Sequence, residues 1–263
     1  MIRYSRWLLL GFALLLALPI VITGLAFYNL ATVETADLVI GTPLVVTPTP
    51  TAAATATPDA TTNYLAGMAA YNAGDYALAE QQFRAALALL PNEANWRNSL
   101  GLTLVRLERT GEAVTEFETA VSLDPALAEA HYNLGAAYHA QTRLLEAERA
   151  YQTALAIVPD MALAYNGLGN LYTQTGRAAE ALVAYEQAVV HDRTLIAAQI
   201  NLGVAYANAG NLEGARVVLE AAVSLAPDSA EAHHSLGVVY TFLGDTERAQ
   251  QEFDLASGLI GNE

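Results

Sequence analysis

The chain of 263 residues contains no cysteine and no lysine. Without cysteine there is no disulfide framework, no thiol nucleophile, no cysteine-ligated zinc and no cysteine-borne lipid anchor. Without lysine, all 12 basic charges are arginines, set against 27 acids for a net charge of −15. Phosphate contacts need a basic patch, so this balance argues against nucleic acid as a partner. Also lacking are a G-x-G-x-x-G fingerprint, a P-loop and a G-x-S-x-G elbow; Gly167-Leu168-Gly169 is not a phosphate loop. No carboxylate pair suggests acid–base catalysis. His131 and His139 stand about two helical turns apart, but Glu129 is the sole candidate for a third metal ligand, so the five histidines read as ordinary surface or groove residues. No catalytic residue, cofactor or metal is expected, and the chain reads as a non-enzyme.

What is present divides into three segments. Trp7 to Leu30 is a run of 24 residues without a charge, preceded by Arg3 and Arg6. It is long enough to cross a hydrocarbon core of about 30 Å as a helix, with the arginines holding the N-terminus in the cytoplasm. Trp7, Phe27 and Tyr28 lie near its ends, where amphipathic rings favour the interface. The competing reading is a signal peptide cleaved after Ala26, although the apolar run exceeds a signal core. Both readings put the rest of the chain outside the cytoplasm, as a single-pass membrane protein or a secreted one. Residues 32–59 follow, rich in threonine, proline and alanine, with little to bury; they read as an extended, solvated spacer.

Residues 60–263 repeat with a period of 34. Glycine recurs at 67, 101, 135, 169, 203 and 237, and alanine at 79, 113, 147, 181, 215 and 249. A large apolar residue recurs as Phe83, Phe117, Tyr151, Tyr185, Leu219 and Phe253. Proline stands at 91, 125, 159 and 227, with Arg193 in the remaining slot. Six copies result: 60–93, 94–127, 128–161, 162–195, 196–229 and 230–263. Each has two stretches of apolar residues at helical spacing, a turn between them often holding glycine (Gly74, Gly176, Gly210, Gly244), and the proline to close the second helix. In the second copy glycine comes three positions late, at Gly111. Small residues let helices approach, with Gly135 expected to face Ala147. No single pair has enough core, so stability must come from stacking.

The third copy, AEAHYNLGAAYHAQTRLLEAERAYQTALAIVPDM, carries Leu134-Gly135, Tyr138, Ala147, Tyr151, Ala154 and Pro159 at the spacings of the tetratricopeptide repeat (TPR), and the sequence resembles that family over 204 of its 263 residues. The resemblance implies an all-α, right-handed α-solenoid superhelix of six helix-turn-helix repeats whose first helices line a concave groove. It implies a protein or extended peptide as partner.

The groove positions of the family then fall on Asn98, Tyr132, Asn133, His139, Asn166, Asn170, Asn201, Asn208 and His234, with Arg106 as the only cation and Glu129 and Glu231 as the only acids. Met68, Leu102, Ile200, Val204, Val238 and Phe242 supply apolar stripes. A row of asparagines can satisfy the main chain of an extended peptide, since each amide both donates and accepts. The alternative for any one of them is a scaffold bond between helices. A carboxylate clamp, which needs several cations, does not fit. The acids Glu112, Glu116, Glu118, Glu146, Glu148, Glu180, Glu186 and Glu220 are expected to face solvent on the convex side. The last helix carries enough polar residues to cap the stack itself; Leu255 and Leu259 on its flank are the alternative, a homo-oligomer contact. The reading is a non-catalytic, membrane-anchored scaffold, with a self-assembling structural envelope protein and a non-catalytic subunit of an envelope enzyme complex as rivals.

Overall fold

A computed structural model describes residues 59–260, all of whose regular structure is helical. The Trp7–Leu30 run and nearly all of the linker lie outside the described residues. Among the described residues, no helix is long and apolar enough to cross a membrane. Twelve helices follow in order: α1 Ala60–Asn72, α2 Tyr76–Leu89, α3 Ala94–Arg106, α4 Thr110–Leu123, α5 Ala128–Ala140, α6 Leu144–Ile157, α7 Ala162–Gln174, α8 Ala178–His191, α9 Ile196–Asn208, α10 Leu212–Leu225, α11 Ala230–Leu243 and α12 Thr246–Ile260. Their starts reproduce the 34-residue period. They fall into two compact units, residues 59–171 and 172–260. In each unit the second helix of a repeat packs most heavily on its hairpin partner and next on the first helix of the following repeat.

The turns inside the repeats show why glycine recurs there. Gly74, Gly176, Gly210 and Gly244 all have φ between 74° and 82°, the left-handed region where a Cβ is penalised. In the second and third copies the same turn position is Glu108 (φ 59°) and Thr142 (φ 58°). The late glycine of the second copy, Gly111, lies inside α4 and does not make the turn.

Helix starts are secured in two ways. Asp59, Asp75, Asn211 and Ser229 accept a hydrogen bond from the backbone N–H three residues on. At α4, α6 and α8 the cap residue is Arg109, Arg143 or Arg177 and makes no such bond. Each arginine instead pairs with a first-turn glutamate, Glu112, Glu146 or Glu180, which also suits the positive end of the helix. Proline is not required to end a repeat. α8 stops at His191 with Arg193 in the proline slot, where Asp192 accepts from Thr194 N at 2.8 Å.

The repeat glycine's nearest neighbour is the large residue 16 positions later; at Gly237 the Ala249 carbonyl also lies 3.2 Å from where a Cβ would stand. A Cβ on Gly135 would lie 2.7 Å from the Tyr151 ring, and one on Gly67, Gly101 or Gly237 would strike Phe83, Phe117 or Phe253 as closely. Gly135 therefore does not face Ala147 as its closest partner; the glycine makes room for a ring. Phe83, Phe117, Tyr151, Tyr185 and Leu219 are all buried, so one aromatic or leucine per hairpin forms its centre.

Candidate functional site

The expected groove residues divide sharply by burial. Asn98, Asn133 and Asn166 retain 2, 0 and 1% of their surface. In the first unit, Asn133 Nδ2 donates to Asn98 Oδ1 at 2.9 Å. One repeat earlier the same register joins Tyr64 Oη to Ser99 Oγ at 3.3 Å. The fifth residue of one repeat thus bonds the sixth of the next, 35 residues on, inside the seam between first helices. Asn98 and Asn133 bond each other across that seam. Tyr132 and His139 are also buried, both against the Tyr151 ring, with centroids 5.8 and 6.5 Å away. Arg106 is half-buried and donates from Nε to Tyr71 Oη at 3.3 Å, a bond that raises its pKa and keeps it charged.

Asn170, Asn201 and His234 keep part of their surface, and Asn208 is exposed. In the second unit several of these residues come together. Val204 of α9 and Val238 of α11 form a small apolar cluster on which Phe242 and Phe253 pack. The His234 ring lies 5.5 Å from Phe253. Burial holds His234 below the usual histidine range, towards the neutral form. Asn201 precedes Val204 by one helical turn. Val204 and Val238 are themselves buried, so the accessible part of this first-helix face is Phe242 with Asn201 and His234, and Glu231 stands one turn before His234.

Of the acids expected to face solvent, Glu112, Glu118 and Glu180 are exposed and Glu116, Glu146, Glu148, Glu186 and Glu220 keep part of their surface, yet several are also engaged by other side chains. Glu116 is largely buried and accepts from Arg97 Nη1 at 2.8 Å. Glu118, Glu186 and Glu220 accept the phenol O–H of Tyr138, Tyr206 and Tyr240, 20 residues later, at 2.6 to 2.8 Å. Glu80 bridges Arg84 and Arg109. Much of the negative charge is therefore engaged at helix starts and repeat seams. The tyrosine–glutamate spacing of 20 was readable from the period, but only the fold shows that the two side chains meet. Among the described residues, no group of three or more histidines, aspartates or glutamates is placed to hold a metal ion. His131 Nε2 instead donates to the Pro125 carbonyl at 3.1 Å.

Comparison with known proteins agrees with this architecture. A solved chain of the APC/C hetero-tetramer Cut9–Hcn1 superposes with a TM-score of 0.71 at 18% identity, over 78% of this chain and 41% of that one. This chain thus spans less than half of that relative. PilF of Pseudomonas aeruginosa gives a TM-score of 0.68 at 17% identity, over 73% of this chain and 88% of its own. YrrB, described as a TPR protein with an unusual peptide-binding site, gives 0.53 at 23% identity, over 67% and 91%. No curated protein sequence matches. Tetratricopeptide repeat models match residues 60–93, 126–189, 172–234 and 230–262, and a TPR repeat model matches 103–141. With twelve helices in the repeat's register and these matches from residue 60 to residue 262, the chain belongs to the tetratricopeptide repeat family.

Proposed function

We propose that the protein is a non-catalytic, membrane-anchored scaffold that holds a protein or an extended peptide on the extracytoplasmic side. The observation that carries the binding reading is the first-helix face of the second unit, where part-exposed Phe242 packs on buried Val204 and Val238 beside Asn201 and His234. Apolar anchors with a few polar groups at the edge are what a peptide site needs. The peptide-binding site described for YrrB supports the same class of partner. The anchor reading rests on the uncharged run Trp7–Leu30 behind Arg3 and Arg6. Tethering would raise the local concentration of whatever the repeats hold.

Two experiments test the two halves. A peptide selected from a random library on the full-length chain should slow amide exchange in α9 and α11 and leave α8 unchanged; protection confined to α8 or α10 would contradict the site. Because the chain has no cysteine, a single Thr49→Cys variant can report topology. Labelling by a membrane-impermeant maleimide in intact cells supports the extracytoplasmic reading; labelling only after lysis contradicts it.

A second reading, self-association through the terminal helix, is favoured by Leu255, which is half exposed on α12. A monomeric mass independent of concentration would exclude it.

A further inference from the structure

In the second, third, fifth and sixth repeats, the fourth residue reaches back to the carbonyl six residues earlier in the turn that joins two repeats. Arg97 donates to the Pro91 carbonyl from Nη2 at 3.0 Å, His131 to Pro125, Gln199 to Arg193 and His233 to Pro227 at 3.0 Å. Two of these side chains also hold a glutamate on the second helix of their own repeat. Arg97 Nη1 donates to Glu116 Oε2 at 2.8 Å, and His233 Nδ1 lies 2.6 Å from Glu252 Oε2. His233 therefore stands where the second repeat has an arginine, with the same two acceptors.

The chemistry of the ring fixes the proton count. A carbonyl oxygen only accepts, so Nε2 carries a hydrogen. A neutral ring then has a bare lone pair at Nδ1, facing a carboxylate that also only accepts. The contact needs one more proton, on Nδ1 or shared with Glu252. His233 is 5% exposed and Glu252 18%, so little water reaches the pair to take its place. Removing the proton leaves two facing acceptors in a nearly dry seam, an arrangement that costs free energy.

We propose that His233 and Glu252 form a proton-dependent clasp of the last repeat, closed while the shared proton is present and released as the pH rises. Most of the surrounding charges are engaged with one another. From α12 the facing group is Glu252. Arg248 of that helix is paired with Asp245 and lies over the Tyr240 ring. From α10, Glu220 and Arg216 are bonded to each other, and Glu220 also to Tyr240. The nearest charged residues along the chain are Asp228 and Glu231. Release would free α12 one residue before Phe253, the ring that packs on Gly237, His234 and the Val204–Val238 cluster. If the first-helix face around that cluster is the binding site, as proposed above, the clasp makes binding there sensitive to pH.

The test is amide exchange on the full-length chain from about pH 5 to about pH 8, the range across which an imidazole loses its charge. Protection factors, which remove the intrinsic pH dependence, are compared between α11–α12 and α1–α6. Protection of α11–α12 should fall about tenfold or more, the scale of one lost hydrogen bond to a charged group, while α1–α6 stays level. His233→Arg, which restores the arrangement of the second repeat, should abolish the fall. Glu252→Gln should also abolish it, because an amide can donate to the bare Nδ1. A fall that persists in both variants, or none in the native chain, overturns the proposal. The readout needs no ligand, so it stays distinct from failure of the peptide-binding reading.

Discussion

Asn133 donates to Asn98 across the seam between α5 and α3, 35 residues apart and sealed from solvent. A buried amide left without its partner loses its solvation with nothing in return. Asn133→Ala should therefore destabilise the chain by about 1–3 kcal/mol. The double variant Asn98→Leu/Asn133→Leu should cost less than the sum of the two single leucine changes, because neither strands a polar group. Urea unfolding of the four proteins checks this; additive losses would show that the pair is not coupled.

The turn residues Glu108 and Thr142 hold a backbone conformation that suits glycine. Thr142 is β-branched and pays more for it than Glu108. Thr142→Gly should stabilise by about 1 kcal/mol and Glu108→Gly by somewhat less, after the added freedom of the unfolded glycine is subtracted. Thermal unfolding measures both; a lower midpoint for either would show that the native side chain contributes something the turn geometry does not reveal.

Tyr138 gives a prediction at high pH. Burial, then the hydrogen bond to Glu118, push its phenol up to about 12 from an ordinary value of 10.0. The folded state thus holds the phenolic proton more tightly than the unfolded one. Its contribution is fully present below about pH 10 and is lost as the pH rises through about 12. Tyr138→Phe should be less stable than the native chain at neutral pH by about 1 kcal/mol. It should also lose less stability between pH 10 and 12. An unchanged alkaline slope would contradict this role of the Tyr138–Glu118 bond.

How much of this was legible in the sequence depends on what each ladder reports. Glycine, alanine and the large apolar ladder fixed the hairpins because each copy must bury the same stripe at the same spacing. Only part of the asparagine row keeps accessible surface. Positions five and six of a first helix show the same periodicity whether they face a ligand or the next repeat, and Asn98 and Asn133 face each other. The glutamates keep surface as expected, but the sequence does not show that several are also bonded across a repeat seam. Glu118 looks like a surface residue of its own helix, and its partner Tyr138 belongs to the next repeat. Gly135 and Ala147 match in sequence because both are small, whereas the space the glycine leaves is taken by the Tyr151 ring. Asn201, His234 and Phe242 are legible as first-helix face residues, and they keep accessible surface where Asn98 does not.

Peptide binding on the first-helix face around Phe242 is tested most directly by calorimetry. The affinity of one library-selected peptide is measured for the full-length chain and two variants. Phe242→Ala removes an accessible ring from this face and should weaken binding about tenfold, the scale of an interface anchor. Val183→Ser alters an exposed apolar side chain of α8 away from this face and should leave the affinity unchanged. Equal binding to the native chain and Phe242→Ala, or a loss with Val183→Ser alone, would contradict binding on this face and move the site to the second helices.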